Sequence, residues 1–235
     1  MGSSRFPGKV LADIHGKPAI SRLIKRLQKC TMLHGIVLAT STEPADDALE
    51  KWTAAEGVSC FRGSEEDVLL RVVGAHRIMD SDIIVEVTGD CILLDPQLID
   101  WGVTTFLEND CDVVTNVRKL SFPMGEDIQV FRRKDLEEIE KTVDDPAVRE
   151  HVSLYFYEHP ERYRIIHLFA PSIWYGPDYR FQLDYYEDHK FLNEVYRLLE
   201  PEFGETFGIE EIMGLLKSNP SLLDINRHCI EKPAR

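Results

Sequence analysis

Over 235 residues the chain carries 41 acidic against 27 basic side chains, a formal charge of −14, which excludes a nucleic-acid backbone as partner because that binding needs a basic face. The length fits one large α/β domain spanning residues 1–235, with room for a substantial core. Five scattered cysteines without a CxxC pair (Cys30, Cys60, Cys91, Cys111 and Cys229) exclude a zinc ribbon and a disulfide framework and read as free thiols of a reducing, cytoplasmic compartment. No apolar run approaches the roughly 20 residues of a membrane span, so no membrane partner is expected, and no signal peptide is expected ahead of the first motif.

The chain opens on Met1-Gly2-Ser3-Ser4-Arg5-Phe6-Pro7-Gly8-Lys9, which has the chemistry of a triphosphate cradle. Gly2 and Gly8 let the backbone pass close to an anion. Ser3 and Ser4 add hydroxyl donors, Arg5 a planar fork and Lys9 a mobile point charge. The spacing matches neither the P-loop nor the dinucleotide fingerprint. On composition alone a basic N-terminal tail looks the same.

Pro18 to Lys29 follows as a helix, with Ile20, Leu23, Ile24 and Leu27 at helical spacing and Arg22, Lys25, Arg26 and Lys29 expected outside. Residues 35–40 (Gly-Ile-Val-Leu-Ala-Thr) form a short buried strand ending in polar residues. Helix 46–56, strand 58–62 and helix 67–79 come next. Strand 82–87 then runs straight into Thr88-Gly89-Asp90, and ligands in open α/β sheets sit beyond such carboxyl ends. Helix 95–107 starts on Asp95-Pro96, proline being acceptable at the first helical position. Strands at 111–115 and 127–131, helices at 135–141 and 149–157, and strands at 164–169 and 179–183 lead to two last helices, 187–199 and 209–219. Apolar runs alternating with helical patterns predict a single-domain, Rossmann-like α/β fold with a mainly parallel sheet flanked by helices.

Several ordered segments together resemble the CMP-sugar synthetases, the cytidylyltransferases that activate octulosonate and sialic-acid-type sugars, with the spore-coat polysaccharide branch closest. They are G-S-S-R-F-P-G-K with Gly16-Lys17-Pro18, Ala39-Thr40-Ser41-Thr42, the run Phe61 to Leu69, Thr88-Gly89-Asp90-Cys91, Pro123 to Val130, Arg149-Glu150-His151-Val152, and Arg180 to Asp188. The resemblance implies a nucleotide-diphospho-sugar transferase (GT-A-like) fold, CTP and an acidic sugar as substrates, Mg²⁺ as cofactor, and a homodimer with 123–156 at its interface. The apolar content of Val152, Leu154, Tyr155 and Phe156 fits that interface. It also implies an apolar strand ahead of the glycine-rich loop. The chain as written starts at the loop, and an N-terminally shortened form is the expectation.

Residue by residue, the resemblance makes Asp90 the first metal carboxylate and Asp184 the second; on spacing alone either equally suits a cap or turn. The usual Thr and Pro around the second carboxylate are replaced here by Gln182, Tyr185 and Tyr186. The catalytic set it implies is Lys9, Arg5 and Asp90. Gly2, Ser3, Ser4, Arg5 and Lys9 would hold the triphosphate, joined by Lys17, for which a solvated residue near a helix start is the alternative. Ala39, Thr40, Arg62 and Ser64 would read the cytosine edge. Arg71 would complete that wall or stand as a surface arginine. Gly125 and Asp127 match an acceptor-side Gly-x-Asp, and Gln129 stands where the family usually has Glu. Arg149 and His151 open a helix, where cations are disfavoured, so they take the substrate carboxylate or merely cap. Rival readings are a sugar-phosphate nucleotidyltransferase, a glycosyltransferase using Asp110-Cys111-Asp112, and a non-catalytic relic.

Overall fold

The computed structural model describes residues 5–230. After a single 3₁₀ turn, Lys9–Leu11, a short hairpin pairs β1 (Asp13–Ile14) with β2 (Lys17–Pro18) and leads into α1 (Ala19–Leu27). Strands β3 (Val37–Ser41) and β4 (Ser59–Gly63) flank α2 (Asp47–Glu56), and α3 (Val68–Ile78) leads to β5 (Ile83–Glu86). Helix α4 (Pro96–Glu108) connects to β6 (Val113–Thr115), and β7 (Gln129–Arg132) runs into α5 (Arg133–Thr142). The remainder is α6 (Pro146–Glu150), α7 (Leu154–Glu158), β8 (Ile165–His167), α8 (Tyr186–Phe203) and α9 (Ile209–Ser218).

The α/β class stands, but the sheet is mixed rather than mainly parallel. Strands β3 and β4 pair in parallel, Val37 opposite Ser59, as a two-stranded unit. The larger sheet has the order β5-β7-β6-β8, antiparallel at its first two pairings and parallel at the last. Among the described residues β3 pairs only with β4 and β5 only with β7.

Both faces of the larger sheet are covered, which explains its near-continuous apolar strands. Val114 and Val130 join a core with α1, α4, α8 and α9, while Ile84, Val113 and Phe131 point to a second core built from α3, α5, α6 and α7. The expected helix 149–157 is broken between Glu150 and Leu154. Val148 and Val152 share a helical face, but Leu154 and Phe156 are two apart and would fall on opposite faces of one straight helix. Breaking it buries all four in the second core. Expected strand 179–183 makes only one bridge, Arg180 with Met124, plus the bonds Phe181 N to Met124 O (2.7 Å) and Met124 N to Tyr179 O (2.9 Å).

Helix α1 also departs from expectation. Lys25 and Lys29 are exposed, but Arg22 and Arg26 are fully buried. Arg22 donates to the carbonyls of Ile14 and His15, forms a two-pronged pair with Glu200 at 2.9 Å, and lies 4.3 Å over the Tyr196 ring. Arg26 donates to Phe207 O at 2.8 Å. The periodicity saw a charged face; α8 and the segment that follows it supply partners that make burying it tolerable.

Candidate active site

Two carboxylates from distant segments converge. Asp90 follows β5, its Oδ1 accepting from Thr88 Oγ1 at 2.6 Å. Leu183 N donates to the Asp90 carbonyl at 3.0 Å, and Gln182 Nε2 to Asp90 Oδ2 at 3.2 Å, so the segment carrying Asp184 is docked directly on Asp90. Asp184 is aimed by Asp188 at the start of α8. That fully buried carboxylate accepts from the backbone N–H groups of Asp184 and Tyr185, from Arg180 Nε and from Asn226 Nδ2, each at 2.9 Å.

Lys9 sits between the two. Its Nζ lies 2.5 Å from Asp90 Oδ2 and 2.6 Å from Asp184 Oδ1. Gly8, at φ 74, makes the turn that delivers it, a conformation glycine adopts without strain. Arg5 reaches Asp184 Oδ2 at 2.7 Å and Arg180 the same oxygen at 3.3 Å. Burial lowers the Lys9 pKa, but Asp90 and Asp184 outweigh it and hold that pKa above the ordinary lysine value. Burial likewise opposes the charge on Asp184, and Lys9 and Arg5 outweigh it, keeping its pKa below the usual carboxylate range. Two hard oxygen donors converging on one cation position fit a divalent ion of the Mg²⁺ kind, which takes few protein carboxylates and fills its remaining positions with water and phosphate oxygens.

Gly2, Ser3 and Ser4 lie outside the described residues. Ala39 and Thr40 are on β3, but the Thr40 hydroxyl is engaged by the buried Asp46 at 2.5 Å. Asp46 also accepts from the N–H and hydroxyl of Ser41 (2.9 and 2.7 Å). Arg62, expected to read the base, is engaged by its own surroundings. Four of its five N–H groups go to Ser41 O, Glu43 O, Asp47 and Glu50 at 2.7–2.8 Å, tying the end of β4 to α2. Ser64 Oγ accepts from Asp67 N. Arg71 donates to the carbonyls of Ser64 and Glu65, while its buried Nε has no partner among the described residues.

Lys17 pairs with Glu205, not with the carboxylates that hold Lys9. Arg149 is likewise spent, on Asp67 and the carbonyls of Glu140 and Val143. His151 caps the carboxyl end of α6 rather than opening a helix. Gly125 has φ +97, and a Cβ there would come within 2.8 Å of Gln182 N, so only glycine lets this loop approach the Asp184 segment so closely. Asp127 accepts from Gly125 N at 3.1 Å. Asp110 and Asp112, the alternative metal motif, both bind Arg164 ahead of β6, at the end of the strand away from Asp90. Glu187, His228 and Cys229, one grouping the spacing did not reveal, bring ligand atoms within 4.8 Å of one another.

Glu86 was also missed. It ends β5 four residues before Asp90, and burial pushes its carboxyl up to about 7. Because the folded pKa lies above the unfolded one, ionising Glu86 costs stability as pH rises from the ordinary glutamate range towards 7. Glu86→Gln mimics the protonated form. Its Tm gain over the parent is expected to be small at pH 5, to grow up to pH 7 and then to level off; a pH-independent difference in melting scans would refute the assignment.

The fold is that of the nucleotidyltransferases, and its candidate site joins a sheet ending on a carboxylate, a second carboxylate docked beside it, and a glycine-containing loop bringing Arg5 and Lys9 between them. A cytidylyltransferase family model matches residues 1–226, and the chain belongs to that family. It is 31% identical over 226 residues to the spore coat polysaccharide biosynthesis protein SpsF of Bacillus subtilis, covering 94% of this chain and 92% of that one. A cytidylyltransferase from Leptospira borgpetersenii shares the fold at a TM-score of 0.89 and 28% identity, covering 99% of this chain and 95% of the other. The CTP complex of CMP:2-keto-3-deoxy-manno-octonic acid synthetase shares the fold at a TM-score of 0.62 and 17% identity, over 83% of this chain and 94% of that one. No helix among the described residues is long and apolar enough to cross a membrane.

Proposed function

We propose that the protein transfers CMP from CTP to an acidic keto-sugar of the nonulosonate or octulosonate type, in the biosynthesis of a surface polysaccharide. The sugar hydroxyl oxygen bonds to the α-phosphorus, the bond to the bridging β-oxygen breaks, pyrophosphate leaves and the hydroxyl proton passes to solvent. The convergence of Asp90, Lys9 and Asp184 carries this reading, because the step asks mainly for positioning and charge neutralisation. Asp90 and Asp184 would hold Mg²⁺, which when bound supplies positive charge at the reacting phosphate. Arg5 and Lys9 bind phosphate oxygens, and Arg180 and Asp188 keep Asp184 aimed. Arg71, with its unpartnered Nε, takes the pyrimidine side that the occupied Arg62 leaves open. A pyrophosphate-release assay with CTP and a panel of keto-sugar acids tests the reaction. In thermal-shift titrations with Mg²⁺, CTP is expected to stabilise the protein more than ATP, GTP or UTP, since a site of unpaired polar groups rejects a base that leaves them unmatched. Equal stabilisation by ATP would count decisively against the reading.

Five unpaired cysteines accord with a cytoplasmic setting. A homodimer belongs to the same proposal, although Val152, Leu154 and Phe156 are committed to the protein's own core. The apolar side chains left at the surface lie elsewhere, Leu120, Phe169, Ile173 and Tyr175 among them. Light scattering at micromolar concentration is expected to give twice the 27.0 kDa chain mass; a monomer mass would remove the dimer from the proposal.

A further inference from the structure

The larger sheet ends on a polar row that the Asp90–Asp184 cluster does not use. Glu86 of β5 is the register partner of Gln129 of β7, Gln129 of Thr115 of β6, and Thr115 of His167 of β8. Two residues back, the same face carries Ile84, Phe131, Val113 and Ile165, which belong to or pack on the second core. The face therefore turns from apolar to polar at the carboxyl ends of β5, β6 and β8, the end where such sheets take ligands. Asp90 follows four residues beyond Glu86 on the same strand exit.

Helix α7 and the residue before it fix this row. The Tyr157 hydroxyl lies 2.5 Å from Gln129 Oε1 and 3.0 Å from Thr115 Oγ1, and Ser153 Oγ donates to the same Gln129 oxygen. Gln129 is thus held with its amide nitrogen towards Glu86 Oε2, at 3.2 Å. At the other end of the row the buried Nδ1 of His167 has no partner among the described residues. A buried polar atom left unmatched is costly unless a ligand or water meets it. Glu86, Gln129, Tyr157 and His167 all stay partly exposed, so the row is reachable. Burial holds Glu86 largely protonated below about pH 7, and burial together with Lys119 holds His167 below the ordinary imidazole value. The row thus offers uncharged donors and acceptors, which suit hydroxyl groups.

Its rim is charged. Arg118 lies 5.0 Å over the Tyr157 ring, and Lys119 is close enough to act on His167. Both are exposed, and among the described residues neither forms an ion pair. In a chain of net charge −14, two adjacent uncommitted cations at a ligand end stand apart from Arg149, which Asp67 neutralises.

We propose that Glu86, Gln129, Thr115 and His167 form the shelf that takes the hydroxyls of the acceptor sugar, and that Arg118 and Lys119 bind its carboxylate and so select an acidic sugar. This rests on the cytidylyltransferase reading above. Two rim cations would attract a sugar phosphate as well as a carboxylate, so the two classes of acceptor are compared directly.

Calorimetric titration tests it on the whole chain with Mg²⁺ and a CTP analogue carrying a methylene bridge between the α- and β-phosphates. The probes are 3-deoxy-manno-octulosonate, N-acetylneuraminate, the uncharged N-acetylmannosamine and mannose 6-phosphate. At least one acid is expected to bind the parent more tightly than both non-carboxylate sugars. Arg118→Ala/Lys119→Ala is expected to weaken that acid at least tenfold while leaving the affinity for the CTP analogue unchanged. Both positions are exposed, so this variant keeps the fold. Unaltered acid binding in the double variant overturns the proposal, as does preferred binding of the sugar phosphate or saturation by neither acid. The nucleotide reading is tested apart, in the arm without sugar: a parent that fails to bind the CTP analogue overturns that reading and not the sugar shelf alone.

Discussion

Asp90→Asn is expected to cut turnover with CTP at least a hundredfold while leaving Tm close to the parent's. Asparagine keeps an oxygen for the Thr88 hydroxyl, which lies at 2.6 Å, but removes the charge that faces Lys9 and would face a bound cation. Losing one of two carboxylates at such a position forfeits several kcal/mol of charge stabilisation. Turnover within about threefold of the parent would sink the metal role. Asp184→Asn should lose turnover similarly, with an added cost in stability that Asp90→Asn lacks, because Asp184 balances Lys9, Arg5 and Arg180 together. Its pKa is depressed in the folded state, so its contribution is present above the ordinary carboxylate range and is lost as pH falls through the folded value. The Tm deficit of Asp184→Asn should therefore shrink on acidification, and a deficit that widens would contradict the pairing.

Asp188→Ala is expected to be the most damaging single change to stability near the site. Asp188 is fully buried and accepts four hydrogen bonds, one from Arg180, itself 5% exposed. Breaking a buried pair by removing one partner costs about 3–5 kcal/mol, because the other charge stays behind without compensation. For a chain of this size that corresponds to a fall in Tm of roughly 10 °C or more. Turnover should drop with it even at temperatures where the variant stays folded, since the bonds that aim Asp184 are gone. Asp188→Asn retains part of the acceptor set and should fall between the two. A Tm within about 2 °C of the parent for Asp188→Ala would show that Arg180 finds another partner.

What the sequence disclosed and what it withheld follow from the range of the interactions. Local patterning found nearly every helix and strand, because each buries an apolar stripe or run that repeats at its own period. The exceptions are instructive. Helix 149–157 had to break because Val152 and Leu154 cannot share a helical face. Arg22 and Arg26 looked solvent-facing because their partners Glu200, Tyr196 and Phe207 are 170 or more residues away. Sheet direction was misjudged for the same reason, since periodicity cannot say which neighbour a strand meets. At the site, Asp90 could be read as an acid at a strand exit, whereas Asp184 was singled out only through the family resemblance. Arg62 and Lys17 were assigned from the family resemblance and Arg149 from its expected place at a helix start, and each meets an acidic neighbour that neither could predict. Of the polar row from Glu86 to His167, only Gln129 was singled out in the sequence. The row exists only once four strands come into register, and its members lie singly among apolar residues.

Lys9 and Asp184 are separated by 175 residues and Arg22 and Glu200 by 178, so the phosphate side of the site and the anchoring of α1 both wait for α8. At synthesis rates of roughly 5–20 residues per second, that wait is about 10–35 s. Throughout it Ile20, Leu23, Ile24 and Leu27 have no α8 to pack on, and Arg22 and Arg26 still have water. Contacts of such long range also weigh on folding speed, because the loop must be closed before they give anything back. Helix α1 is thus fully buried only after α8 has been made, and its charged stripe stays in water until Glu200, Tyr196 and Phe207 arrive to take those charges inside.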